Sequence, residues 1–316
     1  MTRKVLAALL VFAVLFGVRE RADAGETRVA MLLKTLSNPF WVDMKDGIEA
    51  RARELGVRAD VYAAESEADT EGQSKKLDEI IASGNYRGIG VAPITADNLI
   101  PGIVEANRKT VPVINIDSRV DDDALRRAGG HLVGFAGSDN RRIGATAGAY
   151  IADRFPEGCA TAVIEGPDGD RSGSDRRKGF VEALKRAGEK YEIVQISPGD
   201  WDRDKSRALA AAILDRFPDV KAFYACNDAM ALGVLQTLFD RRLAGKVVLV
   251  GTDASAETNI AIRAGEMVAV RQDPKAIGAT ALDILIDAAK SGFTGGPNVW
   301  FNDTLVDAKL VTKGDM

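Results

Sequence analysis

The stretch RVAMLLKTLSNPFWVDMKDGIEARAREL, residues 28–55, contains the pattern of a strand, a polar turn and an amphipathic helix in succession. Val29 to Leu33 form a continuous apolar run, which is typical of a strand that is buried on both faces of a parallel sheet. After the turn, apolar residues recur at spacings of four and three, which predicts a helix with one apolar face. These residues are Phe40, Met44, Ile48, Ala52 and Leu55.

The same unit of a short apolar strand and a helical pattern recurs along the chain, which predicts an α/β fold with parallel sheets. The predicted strands are Arg28–Leu33, Arg58–Tyr62, Gly88–Ala92, Val111–Ile116, Leu132–Ala136, Thr161–Ile164, Ile193–Ile196, Ala222–Ala225, Val247–Gly251 and Met267–Arg271. They divide into two similar halves near Ser138-Asp139-Asn140. We therefore expect two similar doubly wound parallel-sheet domains that face each other across a cleft.

The first 24 residues have the pattern of a secretory signal peptide. Arg3 and Lys4 form a basic start, Val5–Val18 is apolar, and Ala22-Asp23-Ala24 is a small-x-small cleavage site. The alternative is an uncleaved membrane anchor, but the apolar run is shorter than the roughly 20 residues that a spanning helix needs. The sequence therefore predicts export to the periplasm.

The composition of the remaining chain disfavours nucleic-acid binding. Loss of the first 24 residues removes four basic and two acidic groups, so the formal net charge changes from −4 to −6. The sequence also has no stripe of basic residues of the kind that binds nucleic acid. Cys159 and Cys226 could form one disulfide, although a chain of this size does not need one, and two buried free thiols are the preferred interpretation.

Catalytic and cofactor motifs are missing from the sequence. His131 is the single histidine, which excludes a histidine-based metal site or a Ser-His-Asp triad within one chain. No Gly-rich fingerprint follows the first strand, and DGDRSG at residues 168–173 is not completed as a calcium loop, because its twelfth position is Gly179. We therefore expect neither an enzyme nor a bound cofactor or metal.

Polar and aromatic side chains follow the strands of both halves. Ligands of open α/β sheets bind outside the carboxyl ends of the strands, so these side chains should meet in the cleft. They are Lys34, Asn38, Phe40, Trp41, Asp117, Arg176, Trp201, Asn227, Asp253 and Gln272. Aromatic planes can cover the C–H faces of a sugar, whereas carboxylate, amide and guanidinium groups satisfy its hydroxyls.

Each of these residues also has a simpler interpretation. Asn38 before Pro39 is a good helix N-cap, and Asp253 could cap a helix that begins near Ser255. Phe40 lies on the apolar face of its helix, and Arg176 ends a Ser/Gly/Asp-rich stretch in which a solvated charge would be ordinary. The shared position after strands, rather than any single residue, favours a binding site.

Seven segments resemble the periplasmic sugar-binding proteins of the ribose/allose type, the solute receptors of ABC importers, and among these the allose type. The resemblance runs in order from about Arg28 to Lys313. The segments are SNPFWVDMKDGIE (37–49), NID (115–117), RRKGF (176–180), GDWDR (199–203), CNDAMALG (226–233), GTD (251–253) and RQDPKAIGA (271–279).

The resemblance implies a type I periplasmic binding protein fold and a role for each of the residues at the strand ends. Three aromatic residues, Phe40, Trp41 and Trp201, would sandwich the sugar ring, and Lys34 would reach a hydroxyl. The other hydroxyls would be held by Asn38, Asp117, Arg176, Asn227, Asp253 and Gln272. Ribose-type members carry Asp-Arg where this chain has Asp117-Ser118, so one sugar-binding arginine is missing, and Arg119 is the candidate to replace it.

The resemblance also implies a hinge of three crossings, near Ser138-Asp139, near Gln272-Asp273 and around Asn302. The N-terminal lobe would then comprise residues 25–138 and 273–302, and the C-terminal lobe residues 139–272 and 303–316. The implied partners are a monosaccharide (an allose-like hexose or a related pentose) and the membrane permease of an ABC importer, with the protein acting as a monomer.

Other functions fit the sequence less well. A receptor for another small polyol or furanose, presented to a chemoreceptor or sensor kinase, is the main alternative. A transcriptional repressor of the same fold would need a DNA-binding segment where the signal peptide lies. An exported enzyme would need a nucleophile–base pair, a metal set or a cofactor loop.

Overall fold

The computed structural model describes residues 27–296 and 303–316. The predicted signal peptide and Asn302 lie outside these residues. Within them, the strands are β1 (Arg28–Leu33), β2 (Arg58–Ala63), β3 (Ile89–Val91), β4 (Val113–Ile116), β5 (Gly134–Gly137), β6 (Cys159–Glu165), β7 (Tyr191–Pro198), β8 (Ala222–Ala225), β9 (Val248–Asp253), β10 (Val268–Arg271), β11 (Thr304–Leu305) and β12 (Lys309–Val311). All ten predicted strands are present, and only the two short C-terminal strands were not predicted.

Ten α-helices alternate with these strands in the described part of the chain. They are α1 (Pro39–Leu55), α2 (Thr70–Ser83), α3 (Ile100–Arg108), α4 (Asp122–Arg127), α5 (Asn140–Arg154), α6 (Arg171–Ala187), α7 (Arg203–Arg216), α8 (Asp228–Asp240), α9 (Ala256–Ala264) and α10 (Pro274–Ser291). A short 3-10 helix, Lys313–Asp315, ends the chain. Among the residues described, no helix is both long and apolar enough to cross a membrane.

The strands form two six-stranded sheets, in the orders β11-β5-β4-β3-β1-β2 and β12-β10-β9-β8-β6-β7. Every pairing is parallel except that of β10 with β12. The predicted class, an α/β protein with two doubly wound parallel sheets, is confirmed. We call the part built on the first sheet the N-terminal lobe and the part built on the second sheet the C-terminal lobe.

Strand β1 shows why both faces of the first sheet are covered. Its residues are almost all fully buried, and they alternate between two separate hydrophobic cores. Met31 and Leu33 pack with α1 and α10 on one face, whereas Ala30 and Leu32 pack with α2 and α3 on the other. An alternating side-chain direction along an apolar strand requires an apolar layer on each side.

The chain passes between the sheets three times. The first passage follows β5 near Ser138-Asp139, and the second follows β10 near Gln272-Asp273. Thr304 and Leu305 still pair with β5 in the first sheet, so the last passage follows Leu305. The resemblance implied a third crossing around Asn302, with residues 303–316 in the C-terminal lobe, and these two residues differ from that expectation.

Helices α5 and α6 approach each other closely, and this contact fixes the position of Arg176. A Cβ atom on Gly144 of α5 would lie 1.8 Å from the backbone oxygen of Arg176. A Cβ atom on Gly179 of α6 would lie 1.9 Å from the backbone oxygen of Arg141. Because real Cβ atoms cannot approach a backbone oxygen so closely, only glycine permits this crossing.

The two cysteines are buried free thiols, as the sequence favoured. Cys159 begins β6, and Cys226 follows β8. Burial raises the pKa of the Cys226 thiol to about 12, with the nearby charge of Arg176 opposing that effect. Cys226 therefore remains a neutral thiol at physiological pH.

Candidate functional site

A cavity lies between the two lobes, outside the carboxyl ends of their strands. Nine of the ten predicted site residues line it, together with three residues that the sequence did not single out. The predicted residues are Lys34, Asn38, Phe40, Trp41, Asp117, Arg176, Trp201, Asn227 and Asp253, and the additional ones are Glu67, Ser118 and Ser172. The structure thus brings together side chains that are spread over most of the chain.

The start of α1 supplies an amide and two aromatic rings to the cavity. Asn38 is the N-cap of α1, because its Oδ1 accepts a hydrogen bond from the backbone nitrogen of Phe40 at 3.1 Å. The simpler interpretation of Asn38 as a cap is therefore correct, and Asn38 also lines the cavity. Phe40 and Trp41 pack edge to face with ring centroids 5.1 Å apart, and both are buried in this closed form.

Glu67 is the main residue that the sequence did not predict. Its Oε1 accepts hydrogen bonds from Asn38 Nδ2 at 2.8 Å and from Trp41 Nε1 at 3.1 Å. Burial raises the pKa of Glu67, whereas the charge of Lys34 opposes this effect. Glu67 follows β2, the neighbour of β1, within the charged segment ESEAD, which resembles an ordinary solvated loop.

Two aspartates extend the cavity wall from equivalent places in the two lobes. Asp117 directly follows β4 and Asp253 ends β9, and their φ values are +56° and +102°. Non-glycine residues in this region store backbone strain of about 1–3 kcal/mol, which is commonly found at functional sites. Within the described residues, the buried Oδ1 of Asp117 has no hydrogen-bond partner, so it is an acceptor available to a ligand.

Arg176 is a buried residue of α6, not a solvated charge in a loop, because the helix begins at Arg171. Its Nε donates to Asn140 Oδ1 at 2.8 Å, and one terminal nitrogen donates to the backbone oxygen of Cys226 at 2.7 Å. The same terminal nitrogen lies 3.9 Å from Asp253 Oδ1. The planar guanidinium is therefore held rigidly, with donors left for the cavity.

The burial of both aspartates raises their pKa values in the closed form. The pKa of Asp117 rises to about 6, although the charges of Arg176 and Lys34 oppose the shift. The pKa of Asp253 rises to about 8, again against the charge of Arg176. Closure of the cleft is therefore expected to favour proton uptake at these carboxyl groups.

Asp253 and Gln272 differ from two sequence-based expectations. Asp253 does not cap α9, because the N-cap position is Ser255, whose backbone nitrogen donates to Asp228 instead. Gln272 does not line the cavity but donates from Nε2 to Asp253 Oδ1 at 2.7 Å. Asn227 lines the cavity and also caps α8 through Met230.

Trp201 contributes an aromatic plane from the C-terminal lobe. It follows β7 in the segment GDWDR, and its φ is +61°, next to Asp200 at +54°. The indole packs against two glycines: a Cβ atom on Gly166 would lie 2.2 Å from Trp201 Cζ2, and one on Gly173 would lie 2.9 Å from Cη2. These two positions must remain small for the indole to keep its place at the cavity.

Lys34 contacts a partner from the opposite lobe. Its ammonium forms a buried ion pair with Asp170, the residue that caps α6. Burial alone would lower the pKa of Lys34, but the charges of Asp170, Glu67 and Asp117 outweigh that effect and raise it. Lys34 therefore remains charged at the cavity wall.

Arg119 does not take the place of the missing arginine. It forms a bidentate ion pair with Asp303, with one N–O distance of 3.1 Å, and its guanidinium stacks 3.8 Å from the ring centroid of Phe135. Ser118, the residue at the position in question, lies against Ser172 of the other lobe at 3.2 Å between the hydroxyl oxygens. At this position the cavity wall therefore carries a serine hydroxyl, whereas the resemblance implies an arginine in ribose-type members.

This arrangement suits a small neutral ligand with many hydroxyl groups. Two cations and three carboxylates line the wall, so it offers both hydrogen-bond donors and acceptors. Aromatic rings from both lobes provide apolar planes for C–H faces. A fold with two lobes and a polar, aromatic-lined cleft between them defines a solute-binding protein.

The comparisons with known proteins agree with this class, and the chain belongs to the periplasmic binding protein family. Residues 29–292 match the family described as "Periplasmic binding protein domain". The family consists of substrate-binding transport proteins rather than enzymes.

The chain is 43% identical to the D-allose-binding periplasmic protein of Escherichia coli over 286 residues, which cover 90% of this chain and 91% of that protein. It is 34% identical to the D-ribose/D-allose-binding protein of Pseudomonas aeruginosa, with 80% of each chain covered. A solute-binding protein of Actinobacillus succinogenes, solved with bound D-allose, superposes with a TM-score of 0.84 at 26% identity, covering 92% of this chain and 99% of that one.

Proposed function

We propose that this protein binds a monosaccharide, an allose-like hexose or a related pentose, between its lobes in the periplasm and delivers it to the permease of an ABC importer. The observation that carries the proposal is the convergence of nine predicted side chains from both lobes on one cavity. The names of the relatives, which bind D-allose and D-ribose, support a sugar of this size.

Each wall of the cavity has a proposed role in binding. Phe40, Trp41 and Trp201 cover the two faces of the sugar ring, while Asp117 and Arg176 meet its hydroxyls. The remaining hydroxyl partners are Lys34, Asn38, Asn227 and Asp253, and Gln272 acts by holding Asp253. A buried hydroxyl without a partner costs about 1–3 kcal/mol, so a wall this rich in polar groups favours a polyhydroxy ligand.

We further propose that the protein acts as a monomer that opens and closes about its three chain passages. Residues 1–24 would direct it to the periplasm and then be removed. Presentation of the sugar to a chemoreceptor or sensor kinase has no support in the names of the relatives, which describe binding and import, and it is not included in the proposal.

Thermal-shift measurements with a panel of hexoses, pentoses and polyols test the proposal, followed by calorimetry of each sugar that stabilises the protein. D-allose and D-ribose are the first probes. We expect at least one sugar to bind, to be recovered chemically unchanged, and to reduce the radius of gyration in X-ray scattering. A panel without any stabilising sugar, or saturation without compaction, contradicts the proposed clamp.

A further inference from the structure

One short segment of the C-terminal lobe contacts three different loops of the N-terminal lobe. This segment, residues 169–172, leads into α6, and we call it the α6 docking segment. Gly169 accepts a hydrogen bond on its backbone oxygen from the nitrogen of Ala96 at 3.2 Å, and Ser172 meets Ser118. Asp170 pairs with Lys34. Lys34, Ala96 and Ser118 follow β1, β3 and β4, which are adjacent in the first sheet.

The central contact of this segment is a fully buried ion pair. The side chains of Asp170 and Lys34 are 0% and 3% exposed, and they are 136 residues apart in sequence. Asp170 uses both oxygens: Oδ1 accepts from the backbone nitrogen of Gly173 at 2.8 Å, and Oδ2 accepts from the Lys34 ammonium. The carboxylate is therefore stabilised by the start of a helix on one side and by a cation from the other lobe on the other side.

The energetics of a buried ion pair limit what this contact can do. Bringing two solvated charges together in a buried place is close to neutral, because the desolvation cost offsets their attraction. Burying only one of them is strongly unfavourable. The pair therefore does not by itself close an empty cleft, but it penalises every closed arrangement in which the Lys34 ammonium is buried without Asp170 beside it.

We infer that Asp170 is a positioning residue for closure. It favours the closed arrangement of the lobes in which its carboxylate accepts a hydrogen bond from the Lys34 ammonium across the cleft, and it holds that ammonium at the wall of the binding cavity. The inference rests on the proposed function, since it assumes that the lobes close around a sugar. Lys34 lines the cavity, whereas Asp170 lies behind it, so Asp170 acts through Lys34 rather than through the ligand.

The substitution Asp170→Asn separates this role from helix capping. Asparagine caps helices about as well as aspartate, so Gly173 keeps its partner, but the charge that matches Lys34 is lost. We expect D-allose or D-ribose, whichever binds the wild type, to bind the variant about 10- to 1,000-fold more weakly, since one charge of a buried pair is left uncompensated. Asp121→Asn is the matched control, because Asp121 caps α4 through Ala124 at 2.7 Å and does not line the cavity, and it should stay within about twofold of wild type.

A double-mutant cycle tests whether Asp170 acts through Lys34. Lys34→Gln alone should weaken binding, because Lys34 lines the cavity. In the Lys34→Gln background, Asp170→Asn should cause no further loss and should restore part of the affinity, because Lys34→Gln leaves the Asp170 carboxylate buried without its cation. Equal losses from Asp170→Asn in both backgrounds would overturn the inference.

The melting temperature without sugar distinguishes closure from general stability. The open protein leaves both charges in water, so Asp170→Asn should melt like the wild type without sugar and show a smaller stabilisation by sugar. A lower melting temperature without sugar, together with an unchanged sugar-induced shift, would make Asp170 a structural residue only. If the wild type binds no sugar, the proposed function fails; if the wild type binds and compacts but Asp170→Asn binds equally well, only this inference fails.

Discussion

The contact between Gly166 and Trp201 gives the sharpest test of the aromatic wall. We expect Gly166→Ala to weaken sugar binding while the fold is retained. The added methyl group would lie 2.2 Å from Trp201 Cζ2 and 2.6 Å from Cε2 and Cη2, whereas carbon atoms in contact normally stay about 3.5–4.0 Å apart. The indole must therefore move by about 1 Å or more. Gly166 does not line the cavity, so the added methyl group would displace the indole without itself entering the cavity.

The expected loss of affinity follows from the free-energy cost of adding a methyl group to a well-packed site. Extra methyl groups in well-packed regions cost about 1–3 kcal/mol, which corresponds to an affinity loss of roughly 5- to 150-fold. The backbone of Gly166 does not lie in the left-handed region, so alanine itself is tolerated there. Calorimetry with the sugar that binds the wild type measures the loss. Gly314→Ala is the control, because its Cβ atom would meet nothing closer than 3.6 Å.

A second substitution identifies the displaced indole as the cause. Phenylalanine at position 201 is a smaller ring, so Trp201→Phe should make room for the methyl group of Gly166→Ala. The double variant should then bind more tightly than the two separate losses predict, with a coupling of about 1 kcal/mol or more. Additive losses, or wild-type affinity in Gly166→Ala, would show that the contact with Gly166 does not determine the position of the Trp201 indole at the cavity.

Three further changes test the polar wall, each by calorimetry. Arg176→Lys should lower the affinity by about 10- to 100-fold, because a lysine ammonium cannot donate to Asn140 and to the backbone oxygen of Cys226 in the way that the planar guanidinium does. An affinity within twofold of wild type contradicts this. Binding should weaken as the pH rises from about 4, where an exposed aspartate titrates, to about 8, and should change little above that, because the closed form holds the proton of Asp253 more tightly than the open form does. Asp253→Asn should flatten that dependence; an unchanged slope in the variant refutes the assignment. Glu67→Gln should bind within a few-fold of wild type, since its amide oxygen can replace Oε1, whereas Glu67→Ala should lose about tenfold; equal behaviour of the two variants counts against a positioning role.

The architecture and most of the cavity wall follow from the amino-acid sequence alone. Apolar strands and one-sided helices obey local rules of side-chain direction, and the sequence predicts Arg28–Leu33 and Ala222–Ala225 at their observed bounds. Residues that follow parallel strands must gather at one edge of a sheet, so the sequence pattern is sufficient to assign Asp117 and Asp253 to the same cleft. This reasoning needs only the direction of the chain.

The pairing of charges at the wall and across the cleft depends instead on the tertiary structure. Glu67 lies in a segment with the composition of a solvated loop, and it reaches the cavity because β2 lies beside β1 in the sheet. Lys34 and Asp170 meet because the lobes close on each other, and Arg119 turns away because Asp303 and Phe135 hold it. Such contacts depend on sheet order and on the approach of two lobes, and neither quantity leaves a periodic signal in the sequence of any one segment.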